Sequence, residues 1–179
     1  MNKQLIYTHQ NVVENHLIQS VYCSTLSPNL VWLGTSPYGE STSPLYIDEP
    51  AHLVLWDIKE QKIRLDIIPD EEARKIPYIV ENKGKVYCIT DAAYLYCFDI
   101  NNGKQLGVNI DDGIKEILVN REGEMLGISD EIVLKIDPIT LKTEVIAQGF
   151  SFLSNLKEDV ITGNLCVFDE TDLILLSNN

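Results

Sequence analysis

The side chains that could bind a metal or act as a nucleophile are few and scattered in this sequence. The three histidines, His9, His16 and His52, are not spaced from acidic residues as in a metal-binding motif. No serine lies in a Gly-x-Ser-x-Gly nucleophile elbow, and no Gly-x-Gly-x-x-Gly loop is present to bind a phosphate. We therefore predict no catalytic residues, no metal site and no cofactor.

The four cysteines, at positions 23, 88, 97 and 166, form no Cys-x-x-Cys pair. Cys88 and Cys97 fall in neighbouring predicted strands, which would allow them to approach each other. The simpler interpretation is that the cysteines are small buried hydrophobic residues that stay reduced. This interpretation favours a cytoplasmic location.

The charge balance restricts the partners of the protein. The chain has 27 acidic and 14 basic residues and a formal net charge of −13. Such a surface repels phosphate backbones and attracts cations or basic partners, so we expect no binding to nucleic acid. No apolar run approaches the roughly 20 residues that cross a bilayer, and the first nine residues contain no apolar signal segment. We expect neither membrane association nor a secretory signal.

Three carboxylates recur at a nearly constant interval. Asp57, Asp99 and Asp137 lie 42 and 38 residues apart, each at the end of a hydrophobic strand and each followed five positions later by Lys. An Asp at this place can accept backbone N–H bonds across a tight turn, and the Lys would point into water from an edge strand. A catalytic residue needs to appear once, whereas a residue that forms the fold appears in every repeat, so these aspartates are predicted to be structural.

Glycine-containing turns recur at the same interval. Gly84 and Gly123 lie 39 residues apart, and each ends a polar turn that leads into a short strand. One unit therefore contains strand A, a tight turn, strand B, a loop, strand C, the Asp turn and strand D. Four short antiparallel strands in about 40 residues are typical of a propeller blade.

The sequence thus predicts an all-β fold, a β-propeller of about four four-stranded antiparallel blades in a single domain. The predicted units are 15–69, 75–111, 113–148 and 149–179, with residues 1–14 as an orphan outer strand. In the fourth unit we assign Phe150–Leu156 to strand A, Val160–Gly163 to strand B and Leu165–Asp169 to strand C.

Three arrangements of the whole ring remain open. The segment Gln4–Thr8 has the pattern of a strand D that could complete the blade begun by the other terminus. The chain could then form a closed ring of four blades. Alternatively, it is half of a ring that pairs with a second copy, or it is a part of a larger propeller.

The turn that begins at Asp99 resembles the repeat of quinoprotein-like (PQQ-like) propellers and of the related YVTN propellers. Asp99, Gly103 and Lys104 match the family pattern Ala-x-Asp-x-x-Thr-Gly-Lys, while Asn102 replaces the Thr and Gly107 stands where the family has a docking Trp. The resemblance covers roughly residues 50 to 150 and implies a propeller blade. The cofactor-site residues are missing, and Trp32 and Trp56 are expected to pack between blades.

One long insertion departs from the repeat. Strands B and C of the first unit are joined by Ser36–Ala51, whereas the next two units use a few residues. Since loops B–C and D–A emerge on the same face of a blade, the acidic segment 69–74 should lie beside the insertion. Loops of this length are usually functional or disordered. Tyrosines with flanking carboxylates suggest a binding surface, with candidate residues Tyr38, Glu40, Tyr46, Asp48, Glu49, Asp70, Glu71 and Glu72.

These features favour a non-catalytic interaction module whose partner is a protein or a small carbohydrate-like ligand. The alternative is a propeller-type hydrolase, lyase or lactonase with a polar site in the central channel. That alternative needs polar side chains on the innermost strands, for which the candidates are Asn15, Gln19, Glu81, Glu116, Asn120 and Asn155.

Overall fold

The computed structural model describes residues 12–37, 49–110 and 113–176, and these ranges form an all-β structure. Blade 1 contains β1 (Leu17–Cys23), β2 (Leu30–Ser36), β3 (Leu53–Asp57) and β4 (Lys62–Ile67). Blade 2 contains β5 (Tyr78–Asn82), β6 (Lys85–Ile89), β7 (Tyr94–Asp99) and β8 (Gln105–Asn109). Blade 3 contains β9 (Glu116–Val119), β10 (Met125–Ile128), β11 (Ile132–Ile136) and β12 (Thr143–Gln148). Blade 4 contains β13 (Leu153–Glu158), β14 (Leu165–Asp169) and β15 (Asp172–Leu176).

The strands of each blade pair in chain order as antiparallel neighbours, which confirms the predicted β-propeller fold with four blades. Three blades have four strands, and the fourth blade has three among the described residues. The described ranges contain no helix that is long and apolar enough to cross a membrane.

The recurring Asp turns have the predicted structural role. The carboxylate of Asp57 accepts the backbone N–H of Glu60 at 2.9 Å, that of Asp99 accepts the N–H of Asn101 at 3.0 Å, and that of Asp137 accepts the N–H of Thr140 at 2.8 Å. These bonds close the turn between the third and fourth strands of blades 1 to 3. The lysine after each turn is exposed, as expected: Lys62 begins the outermost strand of its sheet, and Lys104 and Lys142 directly precede theirs.

The assignment of strands in the fourth unit was wrong at Val160–Gly163. This segment is the turn between β13 and β14, and Leu165–Asp169 is therefore the second strand of its sheet. The Asp159 carboxylate accepts the backbone N–H of Ile161 at 3.0 Å, so the turn has the same Asp closure as those in the other blades. The apolar pair of Val160 and Ile161 suggested a strand, although both side chains project into solvent.

The hydrophobic core consists of layers between successive blades. Trp32 is fully buried between blades 1 and 2, in agreement with its predicted packing role. Trp56 instead lies on the outer face of blade 1, where it packs with Leu33 and Val54 under Val12 and Val13. The expectation that both tryptophans pack between blades therefore holds for Trp32 alone, because successive residues of paired strands face opposite sides of the sheet.

Cys88 and Cys97 occupy adjacent strands of blade 2 but face opposite sides of the sheet. Cys88 belongs to the layer shared with blade 1, and Cys97 belongs to the layer shared with blade 3. Both are free and buried. The approach of the two thiols that their strand positions would allow does not occur, because Cys88 pairs with Tyr96 and Tyr87 pairs with Cys97.

The four blades form an arc in which each blade packs on the next. The innermost strands β1, β5, β9 and β13 contact one another in that order. No contact of comparable extent joins β13 to β1 among the residues that the structure describes. The β2–β3 and β4–β5 loops extend from one end of the blades, which we call the upper face, and the Asp turns extend from the opposite, lower face.

Candidate functional site

The described end of the insertion in blade 1, residues 49–51, lies beside the acidic connection to blade 2 on the upper face. The backbone N–H of Ala51, at the end of the β2–β3 loop, donates to the carbonyl of Ala73 in the β4–β5 loop at 2.8 Å. This contact agrees with the adjacency expected from blade connectivity. Among the eight predicted binding residues, Tyr38, Glu40, Tyr46 and Asp48 lie outside the described residues.

The acidic connection is a well-braced loop with exposed carboxylates. Asp70 accepts the N–H of Glu72 at 3.0 Å, and Asp91 of blade 2 accepts the N–H groups of Arg74 and Lys75 at 2.9 and 3.0 Å. These bonds hold the backbone of the loop against both blades. The side chains of Glu71 and Glu72 are exposed. The loop therefore presents fixed negative charge to solvent.

A group of polar residues that the sequence analysis missed lies at the base of the insertion, and we call it the histidine cluster: His16, Thr35, Glu49, His52 and Asp66. The rings of His16 and His52 meet edge to face with their centroids 5.0 Å apart. His16 Nε2 lies 3.4 Å from a carboxylate oxygen of Glu49, and His52 Nδ1 lies 2.6 Å from one of Asp66. Of the four predicted binding residues within the described ranges, Glu49 alone belongs to this cluster.

Thr35 links the two histidines, and Glu49 favours one tautomer of His16. Its hydroxyl oxygen accepts the backbone N–H of His52 at 2.8 Å and lies 2.8 Å from Nδ1 of His16. The Glu49 carboxylate can only accept a hydrogen bond, so it favours an N–H at Nε2 of His16, and Nδ1 of the neutral ring accepts from the Thr35 O–H. The proton of the His16 ring then lies on Nε2, facing Glu49.

The cluster has a buried floor and a half-exposed rim. The His16 side chain is fully buried, whereas about half of Glu49 is exposed, at 51%. Burial lowers the pKa of His16, and the neighbouring His52 lowers it further, while Glu49 and Asp66 oppose the shift. His16 is therefore favoured in its neutral form, and the half-exposed Glu49 carboxylate faces solvent above it.

The geometry of the cluster suits a structural connection between segments of the chain. Within the described ranges no group of three or more His, Cys, Asp or Glu side chains is placed to hold a metal ion. Thr35 is fully buried and bonded at its hydroxyl, so it is not accessible as a nucleophile. The cluster instead ties the segment before β1 and the end of the insertion to the outer side of blade 1.

Two of the polar residues proposed for a central channel connect neighbouring blades. Glu81 is buried and accepts bonds from the Trp32 indole and from the hydroxyl of Ser24, both at 2.8 Å. Glu116 is buried and accepts the backbone N–H groups of Asn155 and Leu156 at 2.8 and 3.1 Å. These carboxylates bind donors of the adjacent blade, which explains why buried acids occur on innermost strands.

A groove of about 550 Å³ lies on the lower face of blade 3, opposite to the predicted site. Its charges are mixed, with Lys83, Lys135 and Lys142 beside Glu122, Glu124 and Glu144. Lys135 pairs with Glu124 at 2.5 Å. The groove therefore has no single sign of charge, whereas the β4–β5 loop carries three carboxylates beside Arg74 and Lys75.

Comparison with known proteins identifies the fold. No family model matches the sequence, and no curated protein does. The solved structures include the WD40 beta propeller domain of Doa1, with TM-score 0.67 and 11% identity over 90% of this chain and 51% of that one. They also include a chain of the Mitotic Checkpoint Complex, with TM-score 0.65 and 9% identity over 86% of this chain and 44% of that one.

The Doa1 domain is a WD40 β-propeller, so the likeness shows a β-propeller fold for this chain. The chain spans about half the length of the chains that it matches. The resemblance of the Asp99 turn to quinoprotein-like and YVTN propellers stays a sequence observation.

Proposed function

We propose that this chain is a non-catalytic β-propeller module that binds a basic segment of a partner protein on its upper face. The observation that carries the proposal is the fixed acidic surface where the insertion meets the β4–β5 loop. Glu49, Glu71 and Glu72 present carboxylates there, and the histidine cluster and Asp91 hold the loops that carry them.

Electrostatics support a basic partner. The protein has a net charge of −13, so a positively charged segment is attracted over a distance of several ångströms before contact. Loops on a rigid scaffold are the usual place for recognition. The propeller fold of the neighbours, one of them within a checkpoint complex, is compatible with protein binding.

The Asp99 turn, the four cysteines and the buried acids Glu81 and Glu116 each support one further part of this proposal. The likeness of the Asp99 turn to quinoprotein-like propellers supports the blade architecture, and quinone chemistry is not part of the proposal. The four free cysteines support a reducing compartment such as the cytoplasm. The uses of Glu81 and Glu116 between blades argue against a hydrolase or lyase site on the innermost strands.

The test measures binding of a fluorescein-labelled peptide of about twelve residues that alternates lysine and glycine. Fluorescence anisotropy at low salt should show saturable binding that weakens as salt is raised. The double variant Glu71→Lys/Glu72→Lys should weaken binding about tenfold, equivalent to about 1.4 kcal/mol. The matched control, Glu122→Lys/Glu144→Lys on the lower face, changes the net charge equally and should weaken binding less than about threefold.

Equal weakening by both pairs would mean that net charge alone attracts the peptide, and it would refute the upper-face site. No binding by the unaltered protein would also refute it. In that case, saturable binding of an oligosaccharide probe that the Glu71/Glu72 variant weakens would reassign the surface to a carbohydrate-like ligand.

A further inference from the structure

The two ends of the arc differ from its interior in how their sheet faces are covered. The central strands β6 and β10 are buried on both sides because a blade packs on each face. The strand β14 alternates between buried and partly exposed residues, so among the described residues one face of blade 4 has no neighbouring blade. Blade 4 therefore presents a sheet face of the kind that packs against a neighbouring blade elsewhere in the arc.

The uncovered face of blade 4 is apolar and continuous. Cys166 pairs with Leu175, and Phe168 pairs with Leu173, so the four side chains lie on one side of neighbouring strands. Leu173 and Leu175 are 59% and 60% exposed. On blade 2 the equivalent pairs, Tyr87 with Cys97 and Ile89 with Leu95, fill the layer shared with blade 3. Exposure of paired apolar side chains on blade 4 therefore marks an interaction surface.

The outer side of blade 1 has a second apolar strip at the other end of the arc. Ile18 pairs with Thr35, and Val21 pairs with Leu33, so both face away from blade 2. Val21 is 62% exposed and Ile18 is 40% exposed. The segment before β1 covers the middle of this side through Val12 and Val13, whereas the innermost strand stays open.

We propose that two copies of this chain close a ring of eight blades, with the apolar face of blade 4 packed on the outer side of β1 of the partner. The arc ends on two apolar surfaces, and the chain spans about half of the propeller chains that it matches. A contact between two different surfaces closes when a rotation brings the chain back to its start, and a half ring closes with one two-fold axis. Closure covers both exposed faces at once.

The test is the mass of the full chain in solution, measured by light scattering after size exclusion at about 100 µM. The expected mass is twice the 20.2 kDa of one chain. Leu173→Glu/Leu175→Glu should give the monomer, because it puts two charges into the apolar contact. Val145→Glu/Ile146→Glu is the matched control, with two similarly exposed apolar residues on the outer strand β12, and it should remain a dimer.

Val21→Glu decides which surface of the partner is used. In the closed ring it should give the monomer as well, since β1 forms the opposite side of the same contact. A dimer that tolerates Val21→Glu would pair blade 4 with blade 4 and would overturn the ring. A monomeric unaltered chain, or a dimer that tolerates Leu173→Glu/Leu175→Glu, would overturn it too.

Circular dichroism checks that each variant is folded. If the double variant unfolds, Leu175→Ser replaces it. This variant should raise the dissociation constant of the dimer at least threefold, as measured by sedimentation velocity. An unchanged dissociation constant would count against the ring. The mass is measured without peptide, so loss of the dimer and loss of peptide binding are separate results.

Discussion

The pKa of the buried His16 side chain depends on its neighbours in the fold. It lies beneath the upper face with Thr35 on Nδ1, Glu49 on Nε2 and the ring of His52 against its edge. Burial lowers its pKa below the ordinary 6.5. In the unfolded chain the ring therefore takes up a proton at a higher pH than in the folded protein.

The sign of the pH effect follows from this difference. As the pH falls from 7.5 through 6.5 the unfolded state binds more protons than the folded state, so the free energy of unfolding decreases. We expect the midpoint of thermal unfolding to be lower at pH 5.5 than at pH 7.5. His16→Gln keeps a polar group next to Thr35 but cannot titrate, so its midpoint should change less between the two values.

The comparison uses the difference between the two pH values within each protein, which removes any constant loss of stability in the variant. Glu49, His52 and Asp66 remain in both proteins, as does His9. An identical pH response in His16→Gln and in the unaltered protein would show that His16 does not carry the effect.

At the scale of the element, the Asp turn is the unit that the sequence specifies best. The residue four places after the Asp has a positive φ in every blade, with values of 71° at Gly103 and 79° at Gly163. Glycine adopts this conformation at little cost. Gln61 and Leu141 occupy the same place in blades 1 and 3 with φ of 54° and 59°.

We expect substitution by Gly to change the free energy of unfolding in opposite directions at these two positions. Gln61 is exposed, so Gln61→Gly should relieve the left-handed backbone and raise the free energy of unfolding by about 0.5 kcal/mol. Leu141 is 2% exposed within the layer between blades 2 and 3, so Leu141→Gly should lower it by about 2–4 kcal/mol. Urea denaturation measures both.

The pair serves as its own control, because the turn geometry is shared and the packing differs. A loss of stability in Gln61→Gly would show that its side chain makes contacts that outweigh the backbone strain. A gain in Leu141→Gly would contradict the packing of that residue in the core.

The same turn could have been recognised in blade 4 from Asp159, Thr162 and Gly163, which have the family spacing. The strand-like pair of Val160 and Ile161 led to the wrong assignment, because β-propensity depends on a surface to pack against and this turn has none. The docking Trp of the quinoprotein-like repeat is absent at Gly107. The ring of Tyr94 occupies the space over that glycine, so a side chain there would overlap it.

At the scale of the whole molecule, the position of each blade decides the reactivity of its cysteines. Cys88 and Cys97 lie on the two faces of blade 2, which is covered on both sides, and burial raises the pKa of both thiols. Cys23 is exposed on β1. The thiolate is the reactive form, so buried thiols of raised pKa should react slowly.

At a protein concentration low enough to keep the chain monomeric, we expect a thiol reagent such as Ellman's reagent to modify Cys23 first and Cys166 more slowly in the native protein. Cys88 and Cys97 should react after unfolding in denaturant, which exposes all four thiols. Cys23→Ser should remove the fast phase of the reaction. Rapid reaction of Cys88 or Cys97 in the native protein would contradict the packing of blade 2 between its neighbours.

For blades 1 to 3 the sequence by itself determined the turns, the strands and their repetition, and therefore the propeller fold. These features are local, because an Asp closure or a positive φ depends on a few consecutive residues and recurs wherever those residues recur. The tertiary structure alone decided which sheet faces stay uncovered. It also decided that His16, Glu49, His52 and Asp66 meet on blade 1, although up to 50 residues separate them. Those contacts arise from strand pairing and blade packing, and no local spacing records them.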